Sequence, residues 1–261
     1  MFRAKEFCFI LCLLSAAPCA GGENIIKNAW NDAGYLASSP ARITRSSAYY
    51  VLGGLGAGAL LYSLDGQIRR AAAKNRTEGL DDLSPTAEKL GNGGYDLALA
   101  GALAGAGCLF RDEKLRDTSL LAVESFLAAN AVGSVVKYAA GRSRPYAGNG
   151  KRTFKPFIFK SYSTSFPSGH TVSAFAVASV YAAGYDNFWA GAAAYGAASV
   201  LALQRIYSDK HWASDVFAGA VLGTAAGRAV TARSKERGRK TALLLPVFRP
   251  GYEGVLLSAG F

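Results

Sequence analysis

Six long apolar segments dominate the pattern of this chain. They run approximately Ala48–Leu64, Asp96–Phe110, Leu120–Val136, His170–Tyr185, Phe188–Tyr207 and Asp215–Val230. Each is too long for a typical strand and none alternates with period two, so all six are predicted to be helices. Proline is absent from every one, and Glu124 stands inside the third. A polar stretch from Gly21 to Ser46 precedes them. The connection after the first segment opens with Asp65-Gly66, a turn signal, and continues as a long charged run that reads as exposed. The connection from Gly141 to Pro167 carries Arg142, Arg144, Lys151, Arg152, Lys155 and Lys160 with no acidic residue, interleaved with aromatics. A loop this uniformly positive is expected to face an anion. The end of the chain begins basic ("TARSKERGRK") and closes with two short apolar runs around Pro250-Gly251, which read as a β-hairpin.

Composition sharpens this into an all-α helical bundle of about six apolar helices, open to membrane embedding, with a short C-terminal extension. Hydrophobic residues make up 51% of the chain, and much of that share is Ala, so helices can approach one another closely. Lys+Arg 29 against Asp+Glu 18 gives a formal charge of +11, which favours an anionic partner such as a phospholipid or phosphate ester. The N-terminus, "MFRAKEFCFILCLLSAAPCAGG", has a basic start, a short apolar stretch and then small residues, the pattern of an export signal ending near Ala20. The expected organisation is a signal peptide over 1–20, a leader over 21–46, a helical domain over 47–232 and a basic tail over 233–261. Cys8, Cys12 and Cys19 lie in the signal and leave only Cys108 in a processed chain, which excludes an intrachain disulfide and a multi-cysteine metal site.

The chain has two histidines, and each falls in a distinctive context. His211 precedes Asp215 by four residues, a spacing that puts imidazole and carboxylate on one helical face. A carboxylate bonded to one ring nitrogen would leave the other free to attack or to accept a proton. Arg205 lies six residues earlier. His170 follows Pro167-Ser168-Gly169 at the start of a predicted helix, where Ser168 can cap and free backbone N–H groups suit an oxyanion. Lys137 and Arg144 stand seven apart before Pro145, a point charge and a planar fork suited to phosphate oxygens. Taken singly, each reads equally well as an ordinary helix end or a surface ion pair.

Together, Lys137…Arg144-Pro145, Pro167-Ser168-Gly169-His170 and Arg205…His211…Asp215 resemble the type 2 phosphatidic acid phosphatase superfamily. That group holds lipid phosphatases, class A bacterial acid phosphatases and vanadium haloperoxidases. One position departs from it: Gln204 stands where the superfamily usually has serine. The resemblance implies metal-independent phosphoester hydrolysis without a cofactor. His211 would be the nucleophile of a phosphohistidine intermediate and Asp215 its orienting carboxylate. His170 would be the acid–base group. Lys137, Arg144, Arg205, Ser168 and Gly169 would bind phosphate.

The expected partner is a phosphorylated lipid or other phosphate ester, with membrane association and no nucleic acid. The alternatives are a periplasmic acid phosphatase for soluble esters and, from another class, an inactive envelope protein that binds anions. The segments are short and rich in Ala and Gly, which fits a soluble periplasmic domain; "YYVLGGLGAGALLY" and "VFAGAVLGTAAG" fit lipid. A cleaved signal followed by six spans would also turn both catalytic loops inward, a conflict that the soluble reading avoids.

Overall fold

The computed structural model describes residues 25–158, 160–238, 242–249 and 252–259. The stretch 1–20, with Cys8, Cys12 and Cys19, lies outside the described residues. Among those described, eight α-helices run in order: α1 Ile25–Ala37, α2 Arg45–Lys74, α3 Glu78–Leu90, α4 Gly93–Phe110, α5 Glu113–Ala140, α6 Gly169–Tyr185, α7 Phe188–Tyr207 and α8 Ala213–Gly238. The helix starts follow from their sequence. Thr44 and Ser47 form a capping box at α2, and the side chains of Thr77, Asn92, Asp112 and Asn187 accept backbone N–H groups at α3, α4, α5 and α7. Left-handed residues end three helices, Arg111 after α4, Gly141 after α5 and Asp186 after α6. Two strands, β1 Ala242–Arg249 and β2 Tyr252–Ala259, pair antiparallel from Ala242↔Ala259 to Arg249↔Tyr252.

Helix α6 is the centre of the bundle. Its Val172 and Ala176 pack with Ala128 and Ala129 of α5, Ala226 and Val230 of α8, and Ala33 and Leu36 of α1. Val180 joins Leu97 and Ala100 of α4 and Val123 and Phe126 of α5, while Ala174 and Ala178 meet Ala198 of α7. The core is built largely of alanine because the backbones lie close. A Cβ on Gly223 would fall 2.4 Å from the Val172 carbonyl, and one on Gly227 would fall 1.7 Å from Ser179 Oγ. These glycines let α8 seat directly on α6, which places residues 168–170 beside Asp215.

The structure corrects the sequence reading in two places. The stretch read as a polar leader contains α1, whose buried Asp32 is paired with Arg233 and Arg237 near the end of α8. The helical body therefore includes α1, and the basic tail begins inside α8. Second, Asp65-Gly66 is no turn. Helix α2 runs through both, because Asp65 turns inward to Arg142 and Ser214. Those bonds outweigh the roughly 1 kcal/mol that an interior glycine costs a helix. The rest of that charged run forms α3.

Helices α4 and α5 are long and apolar enough to cross a membrane. Large apolar side chains also face outward in quantity: Tyr49, Tyr50, Leu52, Leu55 and Leu60 on α2, Leu99, Leu109 and Phe110 on α4, and Phe188, Trp189, Val200 and Leu203 on α7. Exposed apolar side chains of this size along three helices are more than singly scattered surface residues, and where they join into a patch they mark a partner or a membrane.

Candidate active site

The loop 141–168 and the turn 208–212 meet where α5, α6, α7 and α8 end or begin. Gly141 starts the loop in the left-handed region (φ 58°), and a Cβ there would strike the Lys155 carbonyl at 1.9 Å, so no other residue fits. Backbone bonds then fold the loop on itself: Ser143 N–H donates to Thr153 O, Arg144 N–H to Tyr162 O at 2.8 Å, and Ser165 N–H to Arg142 O. Ser168 N–H reaches Asp215 O at 3.0 Å and so ties the loop to α8. The turn is equally constrained. The N–H groups of Lys210 and His211 both donate to Arg205 O at 3.1 Å, and Arg69 of α2 clamps Asp209 through two bonds of 2.7 Å.

His211 is buried, with its Nδ1 2.7 Å from the Ser165 carbonyl oxygen. A carbonyl only accepts, so Nδ1 carries the proton and Nε2 keeps its lone pair. Burial, followed by the positive charges of Arg144 and Lys137, holds the imidazole well below the usual histidine range, so the ring is neutral. Asp215 stands farther off than the four-residue spacing predicts: its Oδ2 is 4.0 Å from Nδ1. The carboxylate is occupied elsewhere. Oδ2 accepts from Ser165 Oγ at 2.5 Å and Trp212 N–H at 2.9 Å, and Oδ1 accepts from Arg142 Nη1 at 2.5 Å. Asp215 thus holds the Ser165 segment, whose carbonyl holds the ring.

The positive charges of Lys137 and Arg144 act on both histidine rings, and that of Arg205 on His170. Lys137 Nζ donates to Thr164 O at 3.2 Å and Pro167 O at 2.5 Å. Arg144 makes only long contacts to Thr164, through Nη2 at 3.4 and 3.5 Å, and its buried Nε has no protein partner. Burial pushes its guanidinium below the ordinary arginine range. Arg144 is therefore a well-buried cation with donors left over. Ser168 is the residue before α6, but its side chain makes no cap bond; instead its Oγ accepts from Thr171 Oγ at 2.9 Å. Gly169 and His170 open α6 beside Lys137: a Cβ on Gly169 would lie 3.9 Å from Lys137 Nζ. Arg205 is buried, bonded to Gln204 and 3.6 Å from Glu88.

The sequence reading missed the support behind this cradle. Arg142 is buried between Asp65 and Asp215, at 2.7 and 2.5 Å, and Ser214 Oγ donates to Asp65 at 2.6 Å. Arg142 was visible only as one basic residue among many in its loop. Asp65 lies 150 residues from Asp215, and nothing local signals their meeting.

The family model of the PAP2 superfamily matches residues 118–239, which contain Lys137, Arg144, His170, Arg205, His211 and Asp215. The match to the PAP2 superfamily thus covers just under half of the chain. A lipid A 1-phosphatase of Porphyromonas gingivalis is 37% identical over 93 residues, 35% of this chain and 18% of that relative. The match therefore spans less than a fifth of the curated relative's length. Among solved structures, a transmembrane PAP2-type phosphatidylglycerolphosphate phosphatase from Bacillus subtilis aligns with a TM-score of 0.56 at 24% identity, over 71% of this chain and 96% of that one. That likeness establishes the shared helical fold. LpxE of Aquifex aeolicus aligns at 25% identity with a TM-score of 0.48, over 64% of this chain and 93% of that one.

Proposed function

We propose that this protein is a membrane-associated phosphatase of a lipid phosphate or diphosphate monoester, acting through a phosphohistidine. The observation that carries the reading is a neutral His211, its Nδ1–H on Ser165 O, beside an Arg144 that lacks a proper partner. His211 Nε2 attacks phosphorus as the ester oxygen departs. Burial, then Arg205, Arg144 and Lys137, push the pKa of His170 down to about 3; a phosphate dianion set among those cations offsets them, so that His170 takes up a proton and gives it to the departing oxygen. Water, relieved of a proton by His170, then attacks the phosphohistidine and releases phosphate with His211 restored. Splitting the displacement in two lowers each barrier. Lys137, Arg144 and Arg205 stabilise charge on the three equatorial oxygens from positions set before substrate arrives, without a metal ion. Ser168 and the Gly169 N–H complete the cradle.

A lipid substrate is favoured over a soluble ester by what adjoins His170. A groove of about 1110 Å³ runs between α3, α4, α6 and α7, lined by Leu83, Leu99, Leu103, Val177 and Leu201. Gly91 joins the two regions, since a Cβ there would lie 3.6 Å from the His170 ring and 3.4 Å from Leu201. The outward apolar side chains of α2, α4 and α7 support a membrane setting, and the lipid A 1-phosphatase relative supports the substrate class. Export through the N-terminal signal, with the site in the cell envelope, completes the proposal.

Phosphate release in EDTA from dispersed phosphatidic acid and from a soluble aryl phosphate tests it, with His211→Ala as the blank. Faster lipid hydrolysis, abolished in a folded His211→Ala protein, is expected. A faster soluble ester would move the enzyme to the acid phosphatases, and turnover in the folded variant would end the mechanism. Arg144→Lys replaces a fork with a point charge and is expected to lower kcat/KM by about 100-fold. Near-normal kinetics in that variant would remove Arg144 from the cradle.

A further inference from the structure

Gln204 is where the third motif departs from the superfamily pattern, and the proposed chemistry gives it nothing to do. Both ends of its buried side chain are nonetheless engaged. Oε1 accepts from Arg205 Nε at 2.7 Å and from Arg205 Nη2, while Nε2 donates to Ser84 O at 3.1 Å and Ser84 Oγ at 2.9 Å. Successive residues on a helix project about 100° apart and do not ordinarily meet. Here, in the last turn of α7, the guanidinium of Arg205 turns back onto its neighbour. A serine at this position carries its oxygen one bond beyond Cβ. It is too short to hold Arg205 and α3 together.

The consequence is an arginine with a defined free edge. Two of its nitrogens are taken by Gln204, and the third, Nη1, faces Glu88 of α3 at 3.6 Å. Glu88 is half-exposed, so its carboxylate can yield to another anion at little cost. Gln204 is also uncharged, so it orients Arg205 without cancelling the charge that a phosphate would meet.

We propose that Gln204 is a positioning residue that fixes the plane of Arg205 and, through Ser84, fastens α3 to the phosphate cradle, with a phosphoryl oxygen displacing Glu88 at Nη1. This rests on the phosphatase reading for its substrate, but its test does not. Gln204→Glu is nearly isosteric and keeps the two acceptor contacts to Arg205, but it opposes the charge of Arg205 and can no longer donate to Ser84 O, which loosens the tie to α3. The inhibition constant for inorganic phosphate, or its dissociation constant measured calorimetrically, is expected to rise about tenfold, with the unfolding temperature falling by a few degrees as the bond to Ser84 O is lost. KM is expected to rise more than kcat falls. Glu88→Gln removes the competing carboxylate and is expected to tighten phosphate about twofold, a direction that a merely structural role would not produce.

Unchanged phosphate affinity in Gln204→Glu, or weaker phosphate binding in Glu88→Gln, would overturn the proposal. If wild-type protein turned over no ester but bound phosphate, with both shifts present, the positioning role would stand and the phosphatase reading would fall. Normal turnover with neither shift would sink the positioning role alone. A wild-type protein that binds no phosphate overturns both.

Discussion

Two buried acid–arginine clusters sit at opposite ends of the bundle and use the same chemistry for different ends. One joins Asp65, Arg142 and Asp215 behind His211; the other joins Asp32, Glu124, Arg233 and Arg237 where α1 meets α5 and α8. Asp215 and Arg233 share α8 and stand 18 residues apart, about 27 Å by helical rise. In the first cluster the arginine is sealed, with a side chain 1% exposed. In the second the arginines are 30% and 22% exposed and reach water. A sealed cation between two carboxylates cannot relax when a partner is lost, so the geometry of everything bonded to it is fixed. A half-open one can. The first cluster suits a site that must hold the Ser165 carbonyl against a histidine ring. The second suits a staple that fastens a peripheral helix.

Substitutions separate the two. Asp65→Ala strands Arg142 in the interior, and thermal unfolding is expected to show a loss of about 3–5 kcal/mol. Because Arg142 also holds Asp215, kcat is expected to fall in the same variant, although Asp65 touches no reacting group. Retained stability and full turnover would mean that water reaches this cluster, and the contrast would collapse. Asp32→Ala leaves Arg233 and Arg237 able to hydrate, so the expected loss is smaller, about 1–3 kcal/mol, with kcat/KM unchanged. A fall in turnover comparable to that of Asp65→Ala would show that the distant staple also shapes the site.

The smallest effect is on pH dependence. His211 must be neutral to attack, and burial with neighbouring cations depresses its pKa, so protonation is resisted as pH falls. The acid limb of kcat/KM due to His211 is therefore expected below about pH 6.5, the ordinary histidine value. Arg144→Lys keeps the charge and should leave that limb in place, whereas Arg144→Gln removes one of the cations and should move it upward. An acid limb at or above the ordinary value in the wild-type enzyme would contradict a buried neutral nucleophile.

Legibility in the sequence followed the range of the interactions. The six apolar segments match α2 and α4–α8 because periodicity and capping act over a few residues, and Phe188–Tyr207 agrees at both ends. Helix α1 escaped notice because its inward face carries Asp32, which is tolerable only with Arg233 and Arg237 from the far end of the chain. Asp65-Gly66 misled for the same reason, a turn-forming pair overruled by a partner 77 residues away. Within the site, the motif spacings marked which residues to examine. The spacing of His211 and Asp215 predicted their common face but not the 4.0 Å between Nδ1 and Oδ2.

The sequence alone thus determined the long helices, the close-packing glycines of α8 and the set of basic and imidazole groups available at the helix ends. Those follow from periodicity and residue chemistry, which are local. Tertiary structure alone decided that the Ser165 carbonyl is the hydrogen-bond partner of His211, that Arg142 binds the carboxylate of Asp215, and that Gln204 joins Arg205 to Ser84. Each of these is a contact between elements, governed by how α2, α3, α7 and α8 pack. No pattern of neighbours along the chain encodes which lone pair a packed donor will find.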